Sequence, residues 1–138
     1  MMDAKIICVV LPTKNEEDLI GHVISNIFSK FESFGLPRPI IIVTDDSRDN
    51  TRKEASIAGA EVINGGGKGL GFAMYQGLKY SLRFRPDYIL SCDADGQAEL
   101  DEIPSFIDPL FKDEADLVIG SRFVKSGLVF YKYRWINR

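Results

Sequence analysis

Five short apolar runs, separated by segments of helical period, restrict this chain to one class of fold. Residues 6–11 (IICVVL), 40–43 (IIIV), 61–63 (EVI), 88–92 (YILSC) and 117–120 (LVIG) read as strands. The first two are continuous and β-branched, the pattern of strands buried on both faces. Between them, Leu19, Ile20, Val23, Ile24, Ile27, Phe28 and Phe31 repeat at helical spacing, and Gly35 and Pro37 end that helix. Residues 49–59 predict a short helix with an acidic start. Leu70, Ala73, Met74, Leu78 and Leu82 share one face of a third helix. A fourth begins near residue 99 and carries Ile103, Phe106, Ile107, Leu110 and Phe111; Pro104 suits its first turn and Pro109 shortens it. Alternation of this kind builds an α/β domain with a mostly parallel sheet and helices on both faces.

The length of 138 residues fits one domain, residues 1–138, with enough apolar mass (45%) for a core. A formal charge of −3 argues against a general nucleic-acid binder. Cys8 and Cys92 fall inside predicted strands and fit a reducing, cytoplasmic setting as small core residues. No stretch approaches the roughly 20 apolar residues of a membrane span, and the start lacks a basic segment with a cleavage site. The sequence stops inside a segment of helical pattern and is therefore read as truncated.

In an open parallel sheet, ligands bind beyond the carboxyl ends of the strands. The polar residues of this chain collect there. Pro12, Asn15 and Glu16 follow strand one; Asp45 and Asp46 follow strand two; Asp93, Asp95 and Gln97 follow strand four; Arg122 follows strand five. Asp93 and Asp95, at spacing two, can share a hard cation, and Mg2+ or Mn2+ so held completes its shell with phosphates and water. DADG is equally an ordinary acidic turn in which Asp95 caps the next helix. The cluster NGGGKGLG (64–71) is neither a Walker A loop nor a dinucleotide fingerprint, because Lys68 precedes Gly69 and the glycine spacings fail. It reads as a pliant loop whose backbone N–H groups and Lys68 approach an anion at a helix N-terminus, or as a surface turn. His22 alone builds no zinc site.

Four segments in order, VVLPTKNEE, VTDDSRDNT, GGGKGLGFAMYQGL and YILSCDADGQ, resemble the donor-binding half of family 2 inverting glycosyltransferases of the GT-A (Rossmann-like) fold. The fifth, DLVIGSRF with its basic continuation, resembles the branch of dolichol-phosphate mannose synthases and other polyprenyl-phosphate glycosyltransferases. The resemblance implies that Pro12, Asn15, Glu16, Asp45 and Asp46 contact the nucleotide and that Lys68 belongs to the G-K-G loop. It implies that Asp93 and Asp95, with Gln97, hold the cation, and that Arg122 and Arg134 meet phosphates. Asp95 and Arg122 are the residues to which it assigns catalysis. Lys14, Thr44 and Arg48 depart from the family pattern. The family's catalytic domain continues beyond this length, so the chain corresponds to its N-terminal portion.

The implied reaction moves a sugar, with inversion, from a nucleoside diphosphate sugar to an acceptor. A lipid phosphate acceptor is already ionised and needs no general base; a glycan or lipid hydroxyl needs one. A nucleotidyltransferase shares the sheet and the cation, but its glycine-arginine loop belongs where this chain has PTKNEE. A receiver domain places its acidic pair after strand one, and a haloacid-type phosphatase needs D-x-D-x-T/V there. A nucleotide-sugar-binding piece that is inactive or needs a partner remains the alternative.

Residues 122–138 hold Arg122, Lys125, Lys132, Arg134 and Arg138, no acid, and five aromatic rings, leaving 12 basic and 20 acidic groups (a formal −8) before them. A short charged run is most simply a solvated helix face. The interleaved rings favour instead a surface that meets anionic headgroups, at the cytoplasmic face of a membrane. The chain is accordingly expected to bind anionic vesicles more strongly than neutral ones, with the difference shrinking at high salt; equal partitioning in a sedimentation assay contradicts this.

Overall fold

A computed structural model describes residues 4–121, which divide after Asp101 into two compact units. In the first unit β1 (Ile7–Thr13), α1 (Ile20–Ser33), β2 (Ile40–Asp45), α2 (Thr51–Ile57), β3 (Glu61–Asn64), α3 (Leu70–Ser81) and β4 (Tyr88–Ser91) succeed one another along the chain. The four strands are parallel, in the order β3-β2-β1-β4. The chain thus winds outward from β1 to β3, then crosses back to place β4 on the other side of β1. Both central strands end in register, Thr13 beside Asp45.

Each face of the sheet has its own cover. Cys8, Val10 and Ile42 form the core of one face, joined by Met74, Tyr80 and Phe84 from α3 and the 3-10 turn after it. Helix α3 approaches this face through Ala73, Gly77 and Ser81, all buried and spaced four apart. Leu70 and Leu82, expected on the inward face, are exposed, as is Leu78 to a lesser degree. The apolar period predicts the helix and part of its inward face, Ala73 and Met74, but not the contribution of Gly77 and Ser81, because close approach to the sheet selects small residues over large ones. A Cβ on Gly77 would stand 2.4 Å from Val10 Cγ1 and 3.0 Å from Thr44 Cγ2. The opposite face is that of Asp45, which α2 reaches through Arg52. There α1 packs beside α2 and buries Ile20, Val23, Ile24, Ile27 and Phe31, as the sequence predicts, while Leu19 is exposed.

The second unit contains α4 (Ile103–Phe111), which buries Ile103 and Ile107 and comes after a 3-10 turn over Leu100–Glu102. The helix ends two residues after Pro109, whose carbonyl accepts the Glu114 N–H at 2.9 Å. No strand forms over 117–120, against expectation. Leu117 and Ile119 are 75% and 79% exposed, and a strand exists only beside a neighbour that completes its hydrogen bonds. Arg122, Arg134 and the basic aromatic segment 122–138 lie outside the described residues.

Two substitutions test this packing. Gly77→Ala gains about 1 kcal/mol of helix propensity but forces a methyl into the sheet; overpacking of about 1–3 kcal/mol should prevail and lower the urea midpoint. Thr44 is fully buried, and its Oγ1 has no hydrogen-bond partner among the described residues. Thr44→Val keeps the shape and removes the orphan hydroxyl, so it should raise stability by about 1 kcal/mol. A midpoint that rises in the first variant or falls in the second contradicts these assignments.

Candidate functional site

The loops that leave β1 and β2 are joined by reciprocal hydrogen bonds. Asn15 N–H donates to Ser47 Oγ (2.7 Å) while Arg48 N–H donates to Asn15 Oδ1 (3.0 Å). Glu16 N–H donates to Thr51 Oγ1 (2.8 Å), and Asn50 N–H donates to Glu17 Oε2 (2.9 Å). Asn15 has φ 57°, a left-handed conformation that asparagine tolerates better than most residues. Pro12 is buried within β1, Glu16 is half-buried and Asn15 is exposed. Sequence patterns gave no sign of Ser47, Thr51 or Glu17 as partners, because the pairing joins residues more than thirty positions apart.

The adjacent carboxylates of Asp45 and Asp46 do different work. Asp45 is 5% exposed, accepts from Thr13 Oγ1 (3.3 Å) and Ser47 N–H (3.2 Å), and pairs with Arg52 Nε at 3.5 Å. Its charge is compensated within the protein. Asp46 reaches the glycine loop: Oδ1 accepts the Gly67 N–H at 2.9 Å, and a Cβ on Gly65 would stand 2.6 Å from its Cγ.

That loop differs from the expected anion cradle. Gly65 N–H donates to Asp45 O, Gly66 N–H to Asn64 Oδ1 and Gly67 N–H to Asp46 Oδ1. These three amides are occupied by the protein itself, because a loop of consecutive glycines needs internal partners to hold one conformation. The exposed Lys68 follows these three residues, just before α3 begins. Its ammonium lies 4.9 Å from the centre of the Phe72 ring.

Beyond β4, Asp93 and Asp95 are exposed while Ala94 between them is 3% exposed. Burial of Ala94 turns both carboxylates outward. Asp95 Oδ1 accepts the Gln97 N–H at 3.0 Å, and Gly96 supplies φ 78° for the turn. Asp93 has no hydrogen-bond partner among the described residues. The turn and the ligand pair predicted for DADG are thus compatible, since one carboxylate oxygen closes the turn. Cys92 lies one residue past β4 and is half-buried, not within the strand. Burial first, then the charges of Asp93 and Asp95, push its thiol up to about 11, so it stays protonated and is a poor metal ligand. Among the described residues no three His, Cys, Asp or Glu side chains converge to enclose an ion. The donor set that remains, two carboxylates and the Gln97 amide oxygen, suits a hard cation that takes further oxygens from a diphosphate and water. His22 is exposed on α1.

Asp49 anchors the start of α2. Its Oδ1 accepts from Thr51 N–H (3.0 Å) and from the Thr51 hydroxyl, which holds its carboxyl below the ordinary value of 3.8. A depressed carboxyl stabilises the fold above its unfolded value, and that contribution is lost as pH falls through the folded one. Asp49→Asn is therefore expected to weaken the fold near neutrality and to flatten its loss of stability below pH of about 4. Denaturation midpoints from pH 2 to 7 check this; an acid limb as steep as in the parent contradicts it.

Known proteins resemble this chain. The model of glycosyl transferase family 2 matches residues 8–137. The UDP-N-acetylglucosamine–dolichyl-phosphate N-acetylglucosaminyltransferase of Methanococcus voltae is 32% identical, over 88% of this chain and 53% of that protein. The dolichol-phosphate mannosyltransferase of Pyrococcus furiosus is 32% identical, over 89% of this chain and 35% of that protein. Among solved structures, glucosyl-3-phosphoglycerate synthase from Mycobacterium tuberculosis, in complex with Mn2+, UDP-glucose and phosphoglyceric acid, superimposes with a TM-score of 0.63 at 28% identity. That match covers 80% of this chain and 40% of the synthase. The chain spans about half, or less, of the length of these proteins.

Proposed function

The chain belongs to glycosyl transferase family 2 and has its GT-A fold, and from that premise we propose that the strand-end cluster binds a nucleoside diphosphate sugar for inverting transfer to a polyprenyl phosphate. The observation that carries the reading is the outward pair Asp93 and Asp95 beyond the carboxyl end of β4, in a parallel sheet whose β3 leads at its own carboxyl end to the loop of Lys68. Asp93 and Asp95, with Gln97, would hold Mg2+ or Mn2+. Such an ion, when bound, supplies Lewis-acid stabilisation of the charge left on the departing diphosphate. Mn2+ and UDP-glucose in the related synthase support both the cation and the donor class.

The remaining assignments go strand by strand. Pro12, Asn15, Glu16, Asp45 and Asp46 frame the nucleotide, with Asp45 acting mainly through the hydrogen bonds that shape the loops. Lys68 meets the donor phosphates, and Arg122 and Arg134 are assigned to phosphates as well. The names of the archaeal relatives support a lipid phosphate as acceptor. Such an acceptor requires no general base, and the sole histidine, His22, is exposed on α1. No helix among the described residues is long and apolar enough to cross a membrane. Contact with the lipid surface is assigned to residues 122–138.

Asp95→Ala should leave the fold intact and weaken Mn2+-dependent binding of UDP and GDP by at least about tenfold, the low end of what losing even an outer partner of a metal site costs. Asp46→Ala should weaken nucleotide binding with or without the cation. Calorimetric titration with Mn2+ and with a chelator separates the two. Unchanged Mn2+-assisted binding in Asp95→Ala removes the metal assignment, and an Asp46 effect that disappears on chelation moves Asp46 into the metal site. Transfer from labelled UDP- and GDP-sugars to dolichyl phosphate then tests the reaction.

A further inference from the structure

We infer that Phe72 is a positioning residue for the donor phosphates: its ring, seated against Gly66, holds the Lys68 ammonium in place. The inference rests on the donor-site reading and adds a residue with no part in it. Lys68 stands between Gly67 (φ 66°) and Gly69 (φ 94°), in a loop whose Gly65, Gly66 and Gly67 amides are already engaged. An exposed lysine between two glycines has many positions open to it. Phe72 narrows them. It belongs to the first turn of α3, so its backbone is fixed by the helix, and its position four residues after Lys68 brings the ring beneath the side chain. The Lys68 Nζ lies 4.9 Å from the ring centre, within the range of a cation–π contact.

The ring is itself held. On one side it fills the space a side chain at residue 66 would need: a Cβ there would stand 2.4 Å from Phe72 Cε1 and 2.8 Å from Cδ1. On the other, Tyr75 lies 6.2 Å away, centre to centre, in a tilted arrangement. Gly66 is therefore required for the seat of the ring, since its N–H is already bonded to Asn64. Asp46 braces the same loop through Gly67. Lysine, ring and glycine form one stack, in which a change at the bottom displaces the charge at the top.

The test has a readout that needs no ligand. With the ring in place, the Lys68 ε-methylene protons should be shifted upfield by its ring current. The shift should persist in Phe72→Tyr and vanish in Phe72→Leu and Gly66→Ala. In parallel, Mn2+-dependent binding of UDP and GDP should weaken about two- to fivefold in Phe72→Leu and Gly66→Ala, the range set by an exposed cation–π contact. Phe72→Tyr should restore it, and Phe72→Leu should have no further effect in a Lys68→Met background. Absence of the upfield shift in the parent overturns the inference, as does a Phe72→Leu loss equally large without Lys68. If the parent binds neither nucleotide, the donor-site reading fails by itself, while the proton shifts still decide whether Phe72 holds Lys68.

Discussion

Strands β1 and β2 end in register, Thr13 beside Asp45, and the loops that leave them satisfy one another's polar groups. The placement of Asn15, Glu16 and Asp45 depends on that exchange. Asp45 accepts from β1 and from its own loop while pairing with Arg52 of α2, so one buried carboxylate ties strand, loop and helix together. Across the gap Asn15 N–H donates to Ser47 Oγ and Asn15 Oδ1 accepts the Arg48 N–H, and Thr51 caps the Glu16 amide from the first residue of α2. A buried polar group without a partner costs about 1–3 kcal/mol. Thr13, Asp45 and Thr51 are buried there, so the two loops that partner them hold best as a matched set. Asp46 then extends the set to the glycine loop through Gly67.

Periodicity was legible wherever one solvent boundary decided the pattern. β1, β2 and the buried stripe of α1 come directly from continuous β-branched runs and the 3.6-residue repeat. Helix α3 was legible as a helix, but its facing only through Ala73 and Met74. Its inward stripe of Ala73, Gly77 and Ser81 has little hydrophobicity, and only the distance to Val10 reveals why glycine is needed there. Residues 117–120 show the converse failure, a strand-like composition without a ladder neighbour among the described residues. The strand-end residues were legible as a group, because carboxylates, lysine and glycines gather after successive strands. Their division of labour was not. It depends on contacts between loops distant in sequence, which no local pattern encodes. Phe72 left one faint trace, its four-residue spacing from Lys68 at a helix start, outside the apolar face read for α3.

The four strand-end carboxylates pose an electrostatic problem for any phosphate ligand, and the fold resolves half of it internally. Asp45 is paired with Arg52 and buried; Asp46 spends an oxygen on the Gly67 amide, which offers partial positive charge but no cation. Asp93 and Asp95 have neither an ion pair among the described residues nor a buried setting, and they stand two residues apart at an exposed turn. Like charges so close repel one another and any diphosphate that approaches. The proposed divalent cation, shared by the two, would convert that repulsion into attraction for both partners at once. The same reasoning suits the proposed phosphate role of Lys68, whose ammonium is set over a neutral ring. Paired with a carboxylate, its charge would be cancelled before a phosphate arrived. Over an aromatic face it is oriented and still uncompensated, because a ring quadrupole attracts a cation without neutralising it.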